Sequence, residues 1–410
     1  MNPPAPAPNF LNRSRAADIM RRAGLDALFA ITPLNVYYAT SKTLITERFG
    51  RAGQSAVLIP AAPDQPVTLI AAGFDVYFGG SDRGLAPGLE LRLVGPGHVT
   101  PDAGKSALPM FPVIGAEALP AREQARRGVI ERDARLYPDF VGAVRAAIQA
   151  CGARRIGFDD LSAERLLESA VPDTIRTAAA DLFLHIRAVK TPDEIALIRA
   201  VSEATTAAIG AALSDVREME TIGDLRRRIF MEISRRGATP VYGNIDGVID
   251  EVFDEKLVEG QSLMLDIVAH LGFYQSDVGR TVFLGEPAKP AQQAARAIAA
   301  VWEELRETLR PGLAFSEIHA RGAALLAAHD SRLRSAFNPH LVGLQHWDQP
   351  VGTIEGERLD PVLEEGMVLS VDCPLLATGV GGSVHVEDLM LIVPAGAAAL
   401  HPIGQNITVV

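Results

Sequence analysis

Four carboxylates, with histidines set between them, carry the chemistry that can be read from this chain. The pattern Glu-Gly-x-x-Leu-x-(Leu/Val)-Asp occurs twice. The first copy places Glu259, Gly260, Leu263, Leu265 and Asp266; the second places Glu365, Gly366, Leu369, Val371 and Asp372. Each copy leads into a hairpin that supplies a second acid. A tight turn at Leu271-Gly272 sets Asp266 directly opposite Asp277, and a turn centred on Gly379-Val380 sets Asp372 opposite Glu387. Opposed residues on antiparallel strands hold their Cβ atoms ~4.5–5.5 Å apart, and like charges there repel. Acids so placed among apolar residues need shared protons or bound cations. Edge-strand acids standing in water are the plainer alternative, but repeat, turn chemistry and pairing all agree on a shared site.

Between the hairpins runs Asn338-Pro339-His340-Leu341-Val342-Gly343-Leu344-Gln345-His346, bounded by Pro350. One imidazole added to four carboxylates makes an oxygen-rich donor set with a single nitrogen. Such a set suits two divalent ions of the Mn, Co, Fe or Zn kind better than a closed structural zinc site. Carboxylates can bridge two ions ~3.5–4 Å apart, and such a pair holds a hydroxide and polarises a carbonyl. Strand alternation puts His385 on the face of Glu387, and His270 on the face of Asp266 but nearer the turn, at a rim position. His319 and His329 fall in a helix and read as structural. Cys373 follows Asp372, points to the opposite face and reads as a core thiol.

Asp266, Asp277, His340, Asp372 and Glu387, in this order and at these spacings, resemble the five-ligand set of the pita-bread metallopeptidases, family M24. That family includes methionine aminopeptidase, aminopeptidase P, prolidase and the metal-free creatinase. Ser276-Asp277-Val278-Gly279-Arg280-Thr281 is similar to its Ser-Asp-x-x-Arg-Thr, and Glu365-Gly366-Met367-Val368 to its Pro-Gly-Met-Val. Ile186–Ile195 resembles the entry to the catalytic domain in the prolidase and creatinase branch, and Asp26–Thr40 that branch's N-terminal domain. The resemblance implies an α+β chain: a creatinase-like α/β domain over 10–184, then a pita-bread catalytic domain over 185–410. It also implies metal-dependent hydrolysis of an amide or C–N bond in a small substrate, Xaa-Pro peptides foremost, by a metal-bridged hydroxide. Asp372 would position the nucleophile and accept its proton, and His346 or His385 would steady the oxyanion. A C₂ homodimer follows from the same branch, with part of the N-terminal domain helping to close the partner's pocket.

Three positions depart from the family. Asp372 stands where the peptidases carry glutamate. His346 follows His340 by six residues where they space the equivalent histidine by seven. The segment Pro240–Gly247 holds no histidine where they have one. Two alternatives therefore stand beside the peptidase: a non-peptide hydrolase or lyase on the creatinase-like scaffold, and a non-catalytic peptide-binding protein.

Composition bounds the rest. In 410 residues there is room for two domains and a large core. Net charge −11 argues against nucleic acid and anionic membrane as partners. No apolar run reaches the ~18 residues of a membrane span. Cys151 and Cys373 give no disulfide framework and fit a reducing cytoplasm. Residues 1–9 read as a frayed Pro/Ala tail and not as a signal peptide. Strand-like runs at Ala27–Ile31, Ser55–Ile59, Val67–Ala71, Leu89–Val94 and Arg155–Phe158 alternate with helices near Arg13–Arg22, Tyr137–Ala150 and Ser162–Ser169. Thr191-Pro192-Asp193-Glu194 is a capping box opening a helix. A second helix starts at Thr221, and a third runs from about Pro290 to Arg310 with Ile298, Val301, Trp302, Leu305 and Leu309 on one face.

Overall fold

The computed structural model describes residues 8–410 apart from 46–48, 50–52, 54, 80–85, 96–117, 122, 125–126, 129–133, 253, 351–352, 355–356, 377–381 and 404–405. Most of the Pro/Ala tail and the turn at Gly379-Val380 lie outside the described residues. Two units divide the chain, Met1–Arg187 and Ala188–Val410.

In the first unit, seven runs of the chain become strands, the first three buried almost throughout and the last, an edge strand, mostly exposed. These are β1 (Ala27–Ala30), β2 (Ser55–Pro60), β3 (Val67–Ala72), β4 (Leu89–Val94), β5 (Ala134–Tyr137), β6 (Arg155–Phe158) and β7 (Ile175–Ala178). They form one sheet in the order β5-β4-β3-β2-β1-β6-β7, with β2 antiparallel to both neighbours and every other pair parallel. Helix Phe140–Cys151 puts Ala143, Val144, Ala147 and Ile148 into one core with Phe29, Leu58 and Ile70. That helix starts later than its apolar spacing predicts. Tyr137 belongs to edge strand β5, and the Asp139 carboxylate caps the helix by accepting from Gly142 N at 2.7 Å.

The second unit repeats one plan twice: two helices backing an antiparallel set of strands. Helices Pro192–Leu213 and Ile222–Arg235 precede β8 (Thr239–Ile245), β9 (Ser262–Leu271), β10 (Tyr274–Gln275) and β11 (Val278–Phe283). Helices Lys289–Arg306 and Phe315–His329 precede β12 (Asn338–Leu341), the small ribbon of β13 (Thr353–Ile354) and β14 (Glu357–Arg358), β15 (Val368–Asp372), β16 (Met390–Val393) and β17 (Gly396–Ala399). The last strand, β18 (Ile407–Val409), returns parallel to β11. Each half encloses its own apolar cluster. Val201, Ile209, Leu225 and Ile229 pack with Leu265 and Val282 in one; Ile298, Val301, Trp302 and Ile318 pack with Leu369 and Val371 in the other. Gly260 and Gly366, the paired glycines of the repeat, both take left-handed φ, +81° and +85°, at the turn that opens each acid-bearing strand.

Local signals account for the helix starts. Thr191 and Glu194 close a capping box with Pro192 in the first turn, and Thr221 and Asp224 close another. The third helix ends at Arg306 rather than Arg310, although Leu309 stays buried. By length and composition alone, Pro192–Leu213 could cross a membrane. Its Val201, Ala208, Ile209 and Ala212 lie instead in the first-half core.

One expectation about the hairpins fails and the other holds. The first turn is Gly272-Phe273, with both residues at positive φ (55° and 66°) and Leu271 paired to Tyr274. Two left-handed residues make the turn whose twist suits a hairpin. The register that follows sets Gly279, not Asp277, opposite Asp266. In the second hairpin, Leu369 pairs with Met390 and Leu375 with Val384, a register that carries Asp372 opposite Glu387.

Candidate metal centre

A single row of residues crosses both halves of the second unit. Asn338 pairs with Asp372, the hairpin register carries Asp372 opposite Glu387, and Glu387 pairs with Gly279. Gly279 pairs with Asp266, and Asp266 with Asn244. Glu387 and Gly279 join the halves by exchanging backbone hydrogen bonds of 3.0 and 3.1 Å. Opposed residues share a face of the sheet, so the acids of both hairpins lie on one side. At the centre Gly279 must lack a side chain. A Cβ there would fall 2.5 Å from His385 Nε2 and 2.6 Å from Glu387 Cβ.

The donors converge in overlapping groups. Asp266, Asp277 and Glu387 bring ligand atoms within 4.8 Å of one another, as do His340, Asp372 and Glu387, and Asp277, His340 and His346. His340 Nε2 stands 3.4 Å from Asp277 Oδ2, 3.5 Å from Asp372 Oδ2 and 3.6 Å from Glu387 Oε1. Asp277, His340 and Glu387 each belong to two of the three groups, so the groups form one continuous donor cluster. The four acids and one imidazole expected as ligands are thus brought together. The opposed pairing proposed for Asp266 and Asp277 is replaced by a diagonal approach across Gly279.

These atoms fit a pair of divalent ions on chemical grounds. Asp266 Oδ1, both Asp277 oxygens, His340 Nε2 and His346 Nδ1 are buried and make no conventional hydrogen bond. Buried polar atoms without partners are rare in folded proteins, and these five lie within the donor cluster. His340 is prepared as a ligand: its Nδ1–H donates to His346 O at 3.0 Å, which turns Nε2 toward the acids. Ser370 Oγ donates to Glu387 Oε1 at 2.5 Å and His385 Nε2 bonds Glu387 Oε2 at 3.0 Å, fixing both carboxylate oxygens.

Without an ion the cluster must share protons. Burial, then Glu387, pushes Asp266 up to about 7, and burial with Glu387 and Asp266 drives Asp277 well above the carboxylate range. Burial pushes Glu387 the same way, but the imidazoles of His340 and His385 outweigh it and hold Glu387 well below its ordinary value. His340 and His385 are both carried up to about 9: burial opposes the charged ring, and Asp372 and Glu387 around His340, and Glu387 beside His385, overcome it. His346 is lowered, by burial first and then by the neighbouring His340.

Other histidines fall where strand and helix periodicity put them. His270 stacks on Phe273 at 5.7 Å near the turn. His319 bonds Ala336 O, and His329 meets Glu304 at 2.9 Å, both on the last helix. Cys373 is buried, and its Sγ donates to Val386 O at 2.6 Å.

Residue types alone did not single out the groups around Asp266. Tyr242 lies two residues before Asn244 on β8 and therefore on the same face. Burial and the charges of Asp266, Asp372 and Asp277 raise its hydroxyl to about 12, so it stays a donor. The absence of histidine from Pro240–Gly247 was the available signal. Behind the site, Arg280 pairs with buried Asp388 at 2.9 Å and Trp302 Nε1 donates to the same carboxylate at 2.9 Å. Thr281 Oγ1 donates to His385 O at 2.8 Å and accepts from His385 N at 2.9 Å, which sets the segment that carries Glu387.

With this geometry in place, the comparisons with known proteins agree on a class. Residues 196–394 match the sequence profile of metallopeptidase family M24, and the C-terminal unit of this chain belongs to that family. The Xaa-Pro dipeptidase of Pyrococcus furiosus is 25% identical over 231 residues, which span 54% of this chain and 65% of that relative, just under two thirds of its length. Among solved structures, the Xaa-Pro dipeptidase from Bacillus anthracis matches with a TM-score of 0.67 at 16% identity, covering 97% of this chain and 99% of that one. The prolidase from Pyrococcus horikoshii OT3 matches at 0.65 and 16% identity, covering 96% and 98%. At that identity the likeness is one of fold, and the fold is the pita-bread fold.

Proposed function

We propose that this chain is a metal-dependent hydrolase that cleaves the amide bond of a small Xaa-Pro substrate. The convergence of four acids and one imidazole, with buried atoms of Asp266, Asp277 and His340 left without hydrogen-bond partners, is the observation that carries the reading. Asp266, Asp277, His340, Asp372 and Glu387 would hold two divalent ions of the Mn, Co, Fe or Zn kind, which when bound acidify water and polarise a carbonyl. Asp372, 27% exposed where Asp277 and Glu387 are fully buried, is placed to take the proton of the attacking water. His346, 38% exposed with Nδ1 3.7 Å from Asp277 Oδ2, is a neutral ring that can steady the oxyanion. His385 is buried and its Nε2 bonds Glu387 Oε2 at 3.0 Å, so it would hold that carboxylate in place. Beside His340 opens a cavity of about 520 Å³, lined in part by Phe315, Pro339, Trp347 and Pro361, a size suited to a small ligand.

A second reading has one observation behind it. Tyr242 and Asn244, in place of an imidazole, give the Asp266 side of the site neutral donors, which would suit a non-peptide substrate. A hydrolysis screen of the metal-loaded protein over Xaa-Pro dipeptides, tripeptides and N-acyl or guanidino compounds separates the two. Turnover confined to the non-peptide compounds would replace the Xaa-Pro reading. We place the enzyme in the cytoplasm, where its two cysteines, both free, would stay reduced, and as a C₂ homodimer.

A further inference from the structure

A buried ionic cluster outside the donor set ties together three segments that bear site residues. Lys190 Nζ donates to Asp348 Oδ2 at 2.7 Å, with the two side chains 0% and 1% exposed. Asp348 closes the loop that begins at Leu341, where its N donates to Leu341 O at 2.8 Å, and His346 and Trp347 sit on that loop. The backbone of Lys190 donates to Gly366 O at 2.9 Å, at the turn that opens the strand of Asp372. One helical turn on, buried Glu194 accepts from Tyr274 Oη at 3.0 Å, and the next residue, Gln275, donates its N to Gly343 O at 2.8 Å. Tyr274 and Gln275 directly precede Ser276-Asp277. Gly343 is held to glycine by the same cluster: a Cβ would lie 2.1 Å from Asp348 Oδ2 and 2.4 Å from Lys190 Nζ.

From this we infer that Lys190 and Asp348 are positioning residues, which hold the 341–348 loop so that His346 faces the acid cluster. The ion pair acts through the loop backbone. Two charges withdrawn from water are costly to place there, and losing one partner leaves the other uncompensated. Gly343 and the Gln275 backbone close the same loop from its other side. The inference rests on the proposed role of His346, but the position of the loop can be measured without it.

The test uses the full-length, metal-loaded protein. Lys190→Met alone leaves a buried carboxylate and can fail to fold. The informative variants are therefore the charge-neutralised pair Lys190→Met with Asp348→Asn, and separately Gly343→Ala. Trp347 is 52% exposed on the loop and Trp302, the only other tryptophan, is fully buried, so acrylamide quenching reads the loop. Both variants should quench more steeply than wild type at unchanged metal content. The value of kcat/KM for an Xaa-Pro dipeptide should fall about 10- to 100-fold, as expected for a misplaced group. In a His346→Ala background the same substitutions should cost no more than about twofold further, since both act through one group. Unchanged quenching, full additivity with His346→Ala, or metal lost in step with activity would each overturn the inference. If wild type turns over no Xaa-Pro substrate, the functional reading fails while the quenching comparison still decides this one.

Discussion

A carboxylate buried without a hydrogen bond is stable only if a proton or a cation shares its place, and Asp277 has two such oxygens. Asp277→Asn should therefore lower bound metal and abolish metal-dependent turnover while the fold persists, checked by elemental analysis beside circular dichroism. A pH dependence follows from the same atoms. Ligands bind ions as carboxylate and neutral imidazole. In the free protein Asp266 keeps its proton up to about 7, and His340 keeps its charge up to about 9. An ion must displace those protons at low pH and fewer of them at high pH. Affinity for Mn²⁺ should rise from about pH 6 to about pH 9 and then level off, with net proton release below that, read by titration calorimetry in buffers of different ionisation enthalpy. Affinity falling over that range would show that these groups do not bind the ion. At this scale the acids and His340 were legible because each stands in a repeated or Gly- and Pro-bounded motif. Tyr242, Asn244 and Ser370 were not, because nothing in a tyrosine, asparagine or serine reports what faces it across a sheet.

Strands set the site by register, and one glycine decides how closely they approach. Gly279 has ordinary extended backbone, so Gly279→Ala adds a methyl without forcing a left-handed residue. That methyl lands within 2.6 Å of both His385 and Glu387. Metal content and activity should collapse together with a lowered unfolding midpoint, since overpacking a buried strand costs about 1–3 kcal/mol; a variant that keeps both metal and activity would show that the row is looser than described. Capping boxes, the Trp302 stripe and the repeated Glu-Gly pattern were readable because each is local. The first hairpin's register was not, since its turn puts Phe273 at positive φ, a place for which phenylalanine gives no signal. The edge strand at Ala134–Tyr137 was missed for a related reason: its pairing partner β4 lies far away in sequence.

For the whole molecule, the duplicated half-domain is what makes a two-ion site economical in sequence. Each half contributes an asparagine–aspartate pair to one row, and the halves join where Glu387 meets Gly279. The proposed C₂ homodimer should bury more than ~2,000 Å² in total if it is obligate. Light scattering at micromolar concentration should then report twice 43.7 kDa. A monomer that keeps full activity without residues 1–180 would refute the assembly. The core proposal is tested most directly by stripping the protein with a chelator and measuring Xaa-Pro dipeptide hydrolysis as Mn²⁺ is added back. Activity should be lost on stripping and return to a plateau near two equivalents per chain. Hydrolysis that survives stripping, or none at any loading, would contradict it.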